Sequence, residues 1–307
     1  MNLENKTEVT IIGGSYSGLS AALALGNSLR RTIVIDAGTP RNALADEALN
    51  LLGNNRVHPM DFLHQAKRDI NTLHYVRFIN DVVETVTLNS ECNEFSLHLK
   101  KGQTIVSKKI ILATGVLDVL PSISGIEPFW PYNIFQCPYC IGYTVRDQPL
   151  AVYSTEEEVY TLALIIHKWT KDFIVLTDGS QFLSEEQMKQ LNQLGVKIFS
   201  QKISHVSGRP HETIITHLED GQRIERRGIF MHLKFHQRAK HIMDELGCEY
   251  TEDRLVKVDE FFRTTVNHVY AIGDAALKIQ KLSTAIASGT VAAIAIDREL
   301  TMDKFDR

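Results

Sequence analysis

Residues 9–12 (Val-Thr-Ile-Ile) are β-branched throughout, the composition of a short buried strand. Gly13-Gly14-Ser15-Tyr16-Ser17-Gly18 follows, and residues 19–29 then form an Ala/Leu-rich helical stretch. A second β-branched run, residues 32–35, ends at Asp36. Strand, tight turn, helix and strand in that order predict a parallel βαβ unit. Asp36 lies 23 residues past Gly13, near the spacing a dinucleotide-binding turn sets between its first glycine and its ribose-binding acid. The plan then recurs: residues 150–153 read as a strand, 155–168 as a helix and 173–177 as a strand ending at Asp178, 24 residues past Ser154.

Further strands are expected at 109–113, ahead of Thr114-Gly115, and at 268–272, ahead of Gly273-Asp274. Residues 282–300 read as a closing helix. Residues 118–122 carry Pro121 and read as a linker, and a return crossing is expected at 234–238. The fold class is therefore α/β, with two Rossmann-like three-layer domains, the second inserted into the first. Residues 1–118 and 238–307 form the first domain, and residues 119–237 form the inserted nucleotide-binding-like domain that carries the cysteine pair.

Composition narrows the function. The 307 residues suit two domains, and 33 Lys+Arg against 37 Asp+Glu leave a formal charge of -4, without the basic excess of a nucleic-acid binder. The longest apolar runs, such as residues 110–116, fall far short of the roughly 20 residues that span a bilayer. Residues 1–6 lack the apolar core of a signal peptide, so a cytoplasmic protein with mostly reduced cysteines is expected.

In the first turn, glycines permit a tight strand-to-helix bend and close backbone approach to a pyrophosphate at the helix N-terminus. Ser15 stands where the usual fingerprint has a glycine, a small departure beside Gly14. A structural turn in some other α/β enzyme is the bland alternative. Cys137-Pro138-Tyr139-Cys140 forms a C-x-x-C pair, whose two sulfurs can bridge reversibly. Half of a zinc site is the bland alternative, for which His232 and His236 have suitable mutual spacing, although Cys92 and Cys248 are isolated.

The glycine turn, Ala113-Thr114-Gly115, the central C-x-x-C pair and Val269-Tyr270-Ala271-Ile272-Gly273-Asp274 occur in an order that resembles the low-molecular-weight thioredoxin reductase family of flavoproteins. Gly-Gly-Ser-Tyr-Ser-Gly and Asp36-Ala37-Gly38-Thr39-Pro40-Arg41-Asn42 resemble a branch of it that includes fungal dithiol oxidases. The resemblance implies FAD held by Gly13, Gly14, Ser15, Ser17, Gly18 and Asp36, with Val82, Thr114, Gly115, Thr284 and Ala285 among its contacts. Gly273 and Asp274 would lie at the ribityl chain, though a simple helix cap is the bland reading of Asp274. The helix opened by Ser283-Thr284-Ala285 would turn its positive end to the flavin. Cys140 would exchange electrons with the flavin, and Cys137 would attack or release the partner disulfide.

Two departures qualify the resemblance. The second loop, Tyr153-Ser154-Thr155-Glu156-Glu157-Glu158, has no glycine, and its three carboxylates would repel a pyrophosphate. Ser154 with Glu157, or Thr155 with Glu158, matches a capping box, and no arginine pair follows Asp178. Impaired or absent NAD(P)H use is expected, an unusual but working site being the alternative. Ile141 also replaces the aspartate that such reductases often carry as proton donor; Tyr143 and several histidines are other sources.

The combined expectation is a homodimeric FAD-dependent thiol–disulfide oxidoreductase. Its partner would be a thioredoxin-like protein or a small-molecule dithiol or disulfide, with oxygen or ferredoxin as a possible further electron carrier. A non-catalytic flavin sensor and a zinc-dependent binding protein are the readings from other classes.

Overall fold

The computed structural model describes residues 5–89 and 91–305, so residues 1–4 of the segment read above as leaderless lie outside the described residues. The chain divides into two compact units, one formed by residues 1–117 and 235–307, the other by 118–234.

The first unit begins β1 (Lys6–Ile12), α1 (Tyr16–Asn27), β2 (Thr32–Asp36), α2 (Pro59–Ile70), β3 (Val76–Asn80), β4 (Val83–Asn89), β5 (Glu94–Leu99) and β6 (Thr104–Leu112). Strand β7 (Val116–Val119) carries the chain out of it, where a linker was expected: Asp118 and Val119 continue the extended backbone, and Pro121 ends it.

The second unit contains β8 (Ile134–Phe135), α3 (Pro138–Ile141), β9 (Leu150–Tyr153), α4 (Glu158–Ile166), β10 (Phe173–Leu176), α5 (Glu185–Gln193), β11 (Lys197–Phe199), β12 (Ile203–Arg209), β13 (Thr213–Leu218), β14 (Arg223–Arg226) and β15 (Gly228–Met231). The return runs through β16 (Lys234–Gln237), α6 (Lys240–Leu246), β17 (Val269–Ala271) and α7 (Leu282–Phe305).

In the first unit the strand order is β3-β2-β1-β6-β5-β4. Parallel pairing joins β1 to β2 and to β6, whereas β5 runs antiparallel. One edge of β6 is shared: its residues 104–107 pair with β5 and 110–112 with β17. Side chains alternate across this sheet. Val9, Ile11, Val34 and Ile111 pack with Leu19, Ala22 and Leu25 of α1 and with Ala292, Ala293 and Ile296 of α7. Ile33, Ile35, Ile110, Leu112 and Ala271 face the other way, toward Ile242 and Met243 of α6. Both faces are thus covered, as a largely parallel sheet requires. Each fully buried Leu or Ile contributes roughly 1.5–3 kcal/mol.

The second unit has a parallel sheet ordered β11-β10-β9-β15-β8 and a separate antiparallel sheet, β12-β13-β14. Its α4 covers residues 158–166, shorter than the expected 155–168, because residues 154–156 form a turn instead.

Candidate active site

In the first unit the sheet order reverses between β1 and β6; Gly13–Gly18 follow β1 and Thr114-Gly115 follow β6 at that usual ligand position, while Asp36 ends the neighbouring β2 and Gly273-Asp274 follow β17. Gly13 adopts φ 108°, and a Cβ there would overlap the Ala113 carbonyl oxygen, so only glycine lets the turn close. Gly18 packs its Cα against the Gly13 carbonyl in the same way. Ser15 is the N-cap of α1, yet its side chain makes no capping bond and no acid stands in the first turn. The first N–H groups of α1 are therefore neither capped by Ser15 nor offset by a carboxylate, which suits an anion.

Asp36 lies against Gly14, whose added Cβ would be 2.8 Å from the Asp36 Cγ. Burial opposes its ionisation, but Lys67, with Nζ 2.7 Å from Oδ2, and the N–H groups of Gly38 and Gly14 hold its pKa below the ordinary carboxylate value. Ser17 is buried, and its Oγ would be 2.6 Å from a Cβ on Gly273. Thr114 carries a buried hydroxyl without a hydrogen-bond partner, and the space beside Gly115 is open to 4 Å. Gly273 donates its N–H to Ser288 Oγ at 3.0 Å, and Asp274 pairs with Arg41 at 2.8 Å. Thr284 donates to the Ile279 carbonyl at 2.7 Å, and Ala285 is buried in the first turn of α7.

Val82 follows the end of β3, the strand paired with β2. Its N–H already donates to Asp81 Oδ1 at 2.8 Å, and its carbonyl accepts from the Lys100 N–H at 2.9 Å. The glycine cradle, the uncapped helix end and the orphaned Thr114 hydroxyl together fit a dinucleotide such as FAD. Lys67 and Arg41, the cations on the two acids, escaped the sequence reading. Arg41 was visible only as part of a branch signature, and the place of Lys67 depends on how α2 packs.

The cysteine pair lies in the second unit. Cys137 and Cys140 form a disulfide with Cα atoms 5.3 Å apart. Pro138 opens α3 with its φ preset for a helix, Cys137 occupies the N-cap position, and the Cys140 N–H donates to the Cys137 carbonyl at 3.1 Å. Both cysteines are half-buried, Tyr139 and Tyr143 are exposed, and Ile141 packs into the core of the unit. Trp169, not singled out from sequence, fills the space beside Gly142 and meets Tyr139 edge-on at 5.8 Å. With the sulfurs bridged, neither cysteine offers a thiolate to zinc. Among the described residues no group of three or more His, Cys, Asp or Glu side chains could hold a metal ion.

The second loop is closed by its own bonds. Ser154 Oγ accepts the Glu156 N–H at 3.0 Å, and the Ser180 hydroxyl donates to the Thr155 carbonyl at 3.2 Å. Asp178 is occupied on both oxygens, by the Ile203 N–H at 2.7 Å and the Tyr153 hydroxyl at 3.2 Å. Burial, then the Asp178 charge, pushes the Tyr153 phenol well above its ordinary pKa. Two expectations change here. Neither capping box forms: Ser154 turns to Glu156, two residues on, and the N-cap position of α4 is Glu157, without a side-chain cap. Nor are all three carboxylates unopposed, because Glu156 pairs with Lys234 at 2.6 Å.

Among the described residues no helix is long and apolar enough to cross a membrane. Residues 7–289 match the model of the pyridine nucleotide-disulphide oxidoreductase family. The chain is 30% identical over 304 residues to the thioredoxin reductase sirT of Leptosphaeria maculans, covering 93% of this chain and 91% of that one. It is 28% identical to the thioredoxin reductase tcpT of Claviceps purpurea (strain 20.1), with 99% and 97% covered. The solved structure of a putative thioredoxin reductase TrxB from Bacillus anthracis superposes with a TM-score of 0.92 at 26% identity, covering 97% of this chain and 99% of that one. The chain belongs to the pyridine nucleotide-disulphide oxidoreductase family and is a flavin disulfide oxidoreductase of the thioredoxin reductase type.

Proposed function

We propose that the protein exchanges electrons between FAD and the Cys137–Cys140 pair, and between that pair and an external thiol or disulfide, with impaired or absent use of NAD(P)H. The loops after β9 and β10 carry this reading: Ser154, Thr155, Asp178 and Ser180 spend their hydrogen-bonding groups on one another and their neighbours. A nucleotide pyrophosphate needs free backbone N–H groups and close approach, and residues 154–157 after β9 include neither glycine nor arginine to meet it. Cofactor contacts are assigned to Gly13, Gly14, Ser15, Ser17, Gly18, Asp36, Val82, Thr114, Gly115, Gly273, Asp274, Thr284 and Ala285.

When bound, FAD supplies two-electron exchange with the dithiol pair. The protein does the rest through sulfur. In the reducing direction the Cys137 thiolate attacks the partner disulfide, forming a Cys137–partner bond and releasing one partner thiolate. The Cys140 thiolate then attacks the Cys137 sulfur, closes the pair and releases the second thiolate; two protons complete the partner dithiol. Dithiol oxidation is the same sequence reversed. The partner is a thioredoxin-like protein, as the names of the relatives support, or a small-molecule dithiol or disulfide. In place of NAD(P)H, ferredoxin would supply the electrons in the reducing direction, and oxygen would accept them in dithiol oxidation. A cytoplasmic homodimer belongs to the same reading.

Anaerobic mixing with NADPH, NADH and dithiothreitol in turn tests it, read as bleaching of flavin absorbance near about 450 nm. Bleaching by dithiol alone, abolished in Cys140→Ser, is the expected result. Rapid bleaching by NADPH would instead identify an NAD(P)H-dependent reductase with an unusual loop, the reading the family description favours.

A further inference from the structure

The Asp36–Asn42 signature does more than mark a branch. Beyond the Asp36–Lys67 pair, residues 39, 41 and 42 of this segment each bond to a different part of the first unit. Arg238 Nη1 donates to the Thr39 carbonyl at 2.8 Å and to Thr39 Oγ1 at 2.6 Å. Arg41 Nη1 donates to Asp274 Oδ2 at 2.8 Å and to Gln280 Oε1 at 2.7 Å. Asn42 Nδ2 donates to the Tyr16 hydroxyl at 3.2 Å, beside the start of α1. Gln280 in turn donates to the Asp274 carbonyl at 3.3 Å, closing a ring of three residues.

Charge gives this ring its meaning. The edge that fits a dinucleotide presents two carboxylates, Asp36 and Asp274, to a ligand that brings two phosphate charges of its own. Each acid carries a cation. Lys67 stands 2.7 Å from Asp36, and Arg41 stands 2.8 Å from Asp274. The side chains of Arg41 and Asp274 are only 20% and 23% exposed, so the solvent screens their interaction incompletely. Among the described residues nothing donates to Asp274 Oδ1, which leaves that oxygen to a ligand hydroxyl.

We propose that Arg41 is a positioning residue for the flavin, and the proposal rests on the FAD reading above. It holds the Asp274 carboxylate in one orientation with Oδ1 available, and it offsets a carboxylate charge that would otherwise face the pyrophosphate. A plain loop tie would use the same bonds but would leave no mark on ligand affinity or its salt dependence.

Titrating apoprotein with FAD, followed by quenching of flavin fluorescence at low and high salt, separates the two. Arg41→Gln is expected to weaken FAD binding by about tenfold or more at low salt, with a smaller deficit at high salt. Arg41→Lys is expected to stay within about threefold of wild type, because a single nitrogen of Arg41 makes both bonds. Apoprotein melting temperatures should be nearly unchanged in both. An Arg41→Gln protein that binds FAD like wild type, with wild type binding normally, overturns the proposal alone. So does equal loss in both variants together with a fall in apoprotein melting temperature. Wild-type protein that takes up no FAD overturns the flavin reading itself, and the proposal with it.

Discussion

Tyr153 donates its phenolic hydrogen to Asp178 at 3.2 Å, joining the end of β9 to the loop that follows β10. Asp178 occupies the position of a ribose-binding acid, yet its carboxylate is spent inside the protein, with the Ile203 N–H on its other oxygen.

Removing that phenol should loosen the loop without making it a nucleotide site. Tyr153→Phe is expected to lower stability by about 1 kcal/mol, the usual net worth of one hydrogen bond, and to leave NADPH binding no stronger. Urea denaturation at an unchanged slope gives the first quantity, and equilibrium titration with NADPH gives the second. A large gain in NADPH affinity would show that this one bond, and not the missing glycines, shuts the loop.

The two cysteines should fail in different ways. Cys140→Ser leaves Cys137 able to attack a partner disulfide but with no thiol to resolve the adduct, so a stable mixed disulfide is expected, visible by intact mass. Cys137→Ser should trap no such adduct. Turnover should fall by at least about a thousandfold in both. Adducts formed equally well by the two variants would contradict the assigned order of attack.

A buried charge network in the first unit sets a pH limit. Lys109, whose side chain is 2% exposed, places Nζ 2.5 Å from Glu299 and 3.1 Å from His268 Nδ1. Arg263 Nε donates to the other Glu299 oxygen at 2.7 Å. Burial alone would raise the Glu299 pKa, but bonds from Lys109, Tyr270 and Arg263 carry it from 4.5 down to about 2. A depressed carboxylate contributes its stability above the unfolded value and loses it as the pH falls through the folded one. For Glu299 that window runs from 4.5 to about 2. Glu299→Gln should cost about 3 kcal/mol near neutral pH, because it strands the buried Lys109 charge. The deficit should shrink through that window, which chemical denaturation at stepped pH would reveal.

Much of this was legible because backbone geometry writes itself into residue type. Gly13 and Gly18 had to be glycines, Asp36 had to follow its strand, β-branched runs marked β1 and β2, and short apolar runs marked β9 and β10. The state of the second loop was half legible: the missing glycine could be read, whereas the link from Ser180 to Thr155 joins segments 25 residues apart and leaves no local pattern. The capping-box motif at Ser154 misled because the serine had a nearer N–H to accept. Lys67 and Trp169 gave no signal, since each acquires its neighbour only when a helix packs.

The shared edge of β6 has a consequence for how the chain is made. Its residues 110–112 gain their β17 partner only when residues 269–271 emerge, and α7, which covers α1, is synthesised after β17. The second unit is contiguous and complete by residue 234. On the ribosome, where segments fold as they appear, it can therefore finish first. Until the last strand and helix arrive, the first unit holds an unpaired strand edge and an uncovered apolar helix face.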